Sequence, residues 1–84
     1  MEYHNRAFGA VLRDLRKQKG LSQEALGFEA ELTRNYISLL ECGDRSPTLD
    51  TMLALCSALD ISLAHLATAI QARIRENHDR NNPS

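Results

Sequence analysis

Four hydroxyl residues, Ser22, Thr33, Thr48 and Ser62, each stand immediately before a segment whose apolar residues return at helical spacing. A side-chain oxygen at such a place satisfies one of the backbone N–H groups that a helix start leaves without a partner, so each marks an N-terminus. Starts this closely spaced exclude long helices over the middle of the chain. Ahead of them, Phe8, Val11, Leu12 and Leu15 follow the i, i+3, i+4, i+7 pattern of one apolar helix face. This first helix is predicted from Asn5 to Lys19, with Gly20 as its stop.

The second helix follows Ser22 and ends near Ala30, and Glu24 in its first turn suits the positive end of the helix dipole. The third is predicted from Arg34 to Cys42, with Ile37 and Leu40 facing inward and Gly43 ending it. Asp44 to Pro47 reads as a loop. Thr48 opens a fourth helix with the inward stripe Leu49, Met52, Leu53, Cys56 and Leu59, broken at Asp60-Ile61. Ser62 opens a fifth, carrying Leu63, Leu66, Ile70 and Ile74. There is no alternating strand pattern, repeat or linker. The expected fold is all-α, a compact five-helix bundle in one domain over residues 1–76, its C-terminal helix extending from 62, with a disordered polar tail over 77–84.

With 84 residues, the chain has material for a single core. Aromatic residues are 5% of it and Trp is absent, which leaves little for an RNA-stacking platform. No apolar run reaches membrane-spanning length and the N-terminus carries no apolar signal stretch, so no membrane partner is expected and the expected location is cytoplasmic. In that reducing setting Cys42 and Cys56 are expected to be free thiols. His4, His65 and His78 are scattered without ligand spacing, so neither a metal nor another cofactor is expected. The chain lacks GxSxG, P-loop and HExxH patterns, and an enzyme is not expected. The net charge of −1 conceals an uneven distribution. Arg13, Arg16, Lys17 and Lys19 gather at the end of the first helix, whereas Glu24, Glu29 and Glu31 follow in the second, so any phosphate-binding footprint is local.

The second and third predicted helices are each about two turns long, and the link between them is too short for antiparallel stacking. Helices joined in this way cross steeply, as in a helix-turn-helix, where the second helix presents its N-terminal residues to base edges in the major groove. Arg34 has the chemistry for a bidentate contact to guanine and Asn35 for one to adenine. Thr33 and Ser38 suit phosphates or bases, and Thr33 adds a methyl group for thymine. Ser22 and Gln23 flank the start of the second helix, where free backbone N–H groups favour a phosphate. Tyr36, Arg45 and Ser46 are candidates for the neighbouring phosphate strand.

The stretches Leu21-Ser22-Gln23-Glu24-Ala25-Leu26, Tyr36-Ile37-Ser38-Leu39-Leu40-Glu41-Cys42-Gly43 and Pro47-Thr48-Leu49-Asp50-Thr51-Met52 resemble the lambda-repressor-like, Cro-type helix-turn-helix (XRE) family, from Phe8 to Leu66. The resemblance implies a transcriptional regulator, a repressor or controller protein, that binds double-stranded DNA as a homodimer on a near-palindromic operator. It places contact sites on Gln23, Thr33, Arg34, Asn35 and Leu39, and a buried ion pair between Arg16 and Glu41. Three positions depart from the family pattern. Glu31 stands where the turn usually has glycine, Gly27 replaces the usual alanine of the second helix, and Leu39 replaces a commonly polar reading residue. Leu39 thus suits either a thymine methyl or the interior.

Ile70 and Ile74 lie beyond the family's core, and one apolar face on a terminal helix is expected to form the dimer seam. Symmetric pairing sets two reading heads about 34 Å apart, one turn of DNA. An alternative within the same class is an antitoxin that represses its own operon, although the tail from Asn77 is short for wrapping a toxin. A third reading is a protein–protein adaptor without DNA, against which Arg34 and Asn35 argue.

Overall fold

A computed structural model describes residues 2–81, which form five helices in chain order. They are α1 (Glu2–Gln18), α2 (Gln23–Ala30), α3 (Arg34–Glu41), α4 (Leu49–Leu59) and α5 (Leu63–Asn81). The four hydroxyl residues act as caps. Ser22 Oγ accepts from the Ala25 N–H at 3.0 Å, Thr33 Oγ1 from Tyr36 at 3.1 Å, Thr48 Oγ1 from Thr51 at 3.1 Å and Ser62 Oγ from His65 at 3.0 Å. Each bond satisfies a backbone donor in the first turn, which is why helices this short hold their ends.

The core is built from Leu12 of α1, Leu26 of α2, Ile37 and Leu40 of α3, Leu55 and Leu59 of α4, and Leu66 of α5, all fully buried. α1 packs on α3 and α5, α2 packs on α3 and α4, and α4 meets α5. One close approach sets the angle of α1. A Cβ on Gly9 would sit 2.5 Å from the Leu40 carbonyl oxygen and 2.6 Å from that of Glu41, so α1 crosses the end of α3 at a point where only glycine fits.

Three expectations change. First, α4 is rotated relative to the predicted stripe. Leu55, Cys56 and Leu59 are buried and Met52 packs beside them, while Leu49 is 57% and Leu53 46% exposed. Leu-Asp-Thr-Met-Leu-Ala-Leu-Cys-Ser-Ala-Leu is apolar around most of its circumference, so periodicity cannot choose its inner face, and contact with α2 and α5 does. Leu63, in the first turn of α5, is likewise exposed. Second, α1 begins at Glu2 instead of Asn5. Third, the expected polar tail is, as far as Asn81, a continuation of α5, and residues 82–84 lie outside the described residues. Polarity suggested disorder there, but nothing between Glu76 and Asn81 breaks a helix. α1 and α5 are tied together by Tyr3, which donates its hydroxyl to the Ile74 carbonyl at 3.0 Å, and by Arg73, which pairs with Asp14 at 3.5 Å.

Candidate nucleic-acid interface

The turn between α2 and α3 fixes how the third helix is presented. Glu31 ends α2 in the left-handed conformation (φ 58°, ψ 41°), and its N–H bonds back to the Gly27 and Phe28 carbonyls. The Leu32 N–H then donates to the Gly27 carbonyl at 2.8 Å. Gly27 makes this return possible, because a Cβ there would lie 2.5 Å from the Leu32 carbonyl oxygen. Two of the departures from the family pattern are therefore one device. The turn drops onto Gly27, and Glu31 accepts a backbone geometry that costs a non-glycine residue roughly 1 kcal/mol.

α3 is divided sharply. Ile37 and Leu40 are fully buried and Tyr36 packs half-buried against the core. Thr33, Arg34 and Asn35 are exposed together at the N-terminus, and Ser38 and Leu39 are half-exposed further along. Among the described residues, Arg34 and Asn35 have no side-chain hydrogen bond or ion pair. The Thr33 and Ser22 hydroxyls each accept a backbone bond as caps, which leaves their O–H free to donate to an outside acceptor. After α3, Arg45 and Ser46 are exposed, with Arg45 resting on the Asp44 carbonyl at 3.1 Å. Leu39 is neither inside the core nor fully outside, so its methyl groups remain partly available.

Beneath this face lies the ion pair. Arg16 Nε meets Glu41 Oε2 at 2.6 Å and Arg16 Nη2 meets Oε1 at 3.0 Å, a two-pronged contact with the Glu41 side chain only 4% exposed. Arg16 Nη1 also donates to the Leu21 carbonyl at 2.8 Å, which ties the connection leading into α2. The hydrogen bond to Glu41, opposed by burial and aided by the carboxylate's charge, raises the Arg16 pKa above its ordinary value. Gln23, at the start of α2, donates Nε2 to Glu41 Oε1 at 3.1 Å. No spacing along the chain foretells this bond, because residues 18 apart on different helices meet only once the fold exists.

Ile70 and Ile74 are half-buried; Ile70 packs against the core, and the Ile74 carbonyl takes the Tyr3 bond. Elsewhere, Phe28 is 84% exposed on the outer side of α2. Among the described residues no cluster of three or more His, Cys, Asp or Glu is placed to hold a metal ion, and no single helix is long and apolar enough to cross a membrane.

A family model described as helix-turn-helix matches residues 12–66. The chain is 38% identical over 60 residues to the uncharacterized HTH-type transcriptional regulator y4dJ of Sinorhizobium fredii, covering 71% of this chain and 78% of that protein. The crystal structure of the restriction-modification controller protein C.AhdI from Aeromonas hydrophila matches with a TM-score of 0.72 at 45% identity, over 74% of this chain and 94% of that one. The controller protein C.Esp1396I, solved as a tetramer in complex with its natural 35 base-pair operator, matches with a TM-score of 0.79 at 25% identity, over 84% and 93% of the two chains.

Proposed function

Because the chain belongs to the helix-turn-helix family, we propose that it is a sequence-specific DNA-binding transcriptional regulator, a repressor or controller protein, that works as a homodimer on a near-palindromic operator. One observation carries this reading: Thr33, Arg34 and Asn35 stand exposed at the head of a helix whose opposite side is locked into the core by Ile37 and Leu40. A reading helix needs both conditions, a rigid seat and side chains with no partner of their own.

Arg34 reads guanine and Asn35 adenine, with Thr33, Ser38 and Leu39 beside them on bases or thymine methyls. Ser22, Gln23, Tyr36, Arg45 and Ser46 hold the flanking phosphates and set the register. The likeness to C.Esp1396I with its operator supports the same use of this surface. For the dimer, the uncovered leucines Leu49 and Leu53 of α4 and Leu63 of α5 offer more free apolar surface than Ile70, which packs on its own core, and the half-buried Ile74. We place the seam on that α4–α5 side. The activity proposed is binding without catalysis, in the cytoplasm.

Selection of bound duplexes from a random pool tests this directly, with a two-fold-related consensus as the expected result. Arg34→Ala then weakens the selected site by about 1–3 kcal/mol and relaxes one base position. Binding no tighter to the selected duplex than to a scrambled one at physiological salt overturns the function.

A further inference from the structure

The bond between Gln23 and Glu41 joins the DNA-facing surface to the buried ion pair. A carboxylate only accepts hydrogen bonds, so of the two ends of the Gln23 amide only the nitrogen can face Glu41. Glu41 cannot turn away to release it. Both of its oxygens are held by the Arg16 guanidinium, and its side chain is almost wholly buried. Arg16 in turn fixes the Leu21 carbonyl just ahead of the Ser22 cap, so the backbone bearing Gln23 is held by the same cation.

We infer that Glu41 is a positioning residue for DNA binding: it holds the Gln23 amide in one orientation before DNA arrives, with one N–H on Glu41 and the second N–H left to donate to a phosphate oxygen. A glutamine with free side-chain torsions loses that freedom on binding, whereas one already held by Glu41 has lost it on folding. This inference rests on the proposed role of Gln23 as a DNA contact. It assigns the ion pair a second task besides joining α1 to α3.

The test uses the full chain and the selected duplex. Gln23→Ala leaves the Arg16–Glu41 pair intact and is expected to weaken binding about 3- to 10-fold, the range expected for one ordered polar side chain. Glu41→Gln offers the amide both a donor and an acceptor, so the orientation is lost and binding falls by a similar factor. Combined with Gln23→Ala, it is expected to cause no further loss. Losses that multiply in the double variant overturn the inference, because they show Glu41 acting without Gln23. Should Glu41→Gln fail to fold, Arg16→Met with Glu41→Leu removes the carboxylate while filling the site with apolar groups. Its loss of affinity must likewise vanish in the Gln23→Ala background. A DNA-free reading separates this inference from the function itself. In NMR spectra of the free protein, the Gln23 side-chain amide is expected to show one slowly exchanging pair of protons that becomes ordinary in Glu41→Gln. A Gln23 amide already ordinary in the parent protein overturns the positioning role whatever the duplex experiments give.

Discussion

Glu31 holds a positive φ that a side chain makes unfavourable, and a glycine there keeps the same turn without the penalty. Glu31→Gly is therefore expected to stabilise the protein by about 1 kcal/mol, read as a higher urea midpoint. Gly27→Ala runs the other way. Alanine is the better helix former by about 1 kcal/mol, yet its Cβ would strike the Leu32 carbonyl oxygen at 2.5 Å, and the midpoint is expected to fall. A rise for Gly27→Ala would mean that the turn has slack. The cysteines divide in the same residue-by-residue manner. Burial raises the Cys56 pKa above 9.0, so the folded protein keeps a neutral thiol there while an unfolded chain ionises. That contribution to stability is complete below the ordinary thiol pKa and is lost as pH rises through the raised one. At pH 8 a thiol reagent is expected to label exposed Cys42 and leave Cys56 untouched until the protein unfolds. At this scale the caps were legible, because Ser and Thr before an apolar run have one good use. The Glu31 turn was visible only as a missing glycine, since backbone angles leave no trace in a residue's name.

Helix pairing depends on two contacts of opposite character. The crossing of α1 over α3 relies on the absence of a side chain at Gly9, and Gly9→Ala is expected to destabilise more than any gain in helix propensity returns, because the obstruction is backbone. The other end of the crossing relies on charge. Arg16→Met leaves the Glu41 carboxylate buried without its cation and is expected to cost about 3–5 kcal/mol in denaturant unfolding, most of it recovered when Glu41→Leu is added. Equal losses in the single and double variants would show that the guanidinium's bond to Leu21 matters more than the pair. The order and number of helices could be read from spacing and caps, as could the inward placement of Ile37 and Leu40 in α3, whereas adjacent Leu39 could not be assigned to either side. α4 could not be read in this way, being apolar on nearly every side. The end of α5 is not legible from composition, because a polar segment without helix breakers reads the same whether it is helical or not.

For the molecule as a whole, the proposed dimer separates two kinds of apolar residue. Leu53→Asp with Leu63→Asp is expected to halve the mass seen by light scattering and to weaken operator binding, while leaving the monomer's helicity intact, since both side chains are exposed. Ile70→Asp instead strikes a residue that packs on the core, and its expected signature is a lower melting temperature. A mass unchanged by the leucine pair would remove the α4–α5 side from the interface. The spacing of Ile70 and Ile74 is legible in the sequence, whereas the exposure of Leu49, Leu53 and Leu63 is not, because which leucines remain uncovered depends on how α4 rotates.

That Arg34 and Asn35 have no side-chain partner among the described residues has an evolutionary consequence. Neither residue helps to hold the fold together, so exchanging either leaves folding nearly unchanged while, under the proposed function, altering which duplex is preferred. Under that same proposed function, a duplicated gene for such a chain is two substitutions from a sibling with the same architecture and a separate address on the chromosome. Divergence of target and preservation of fold thus draw on different residues of one short helix.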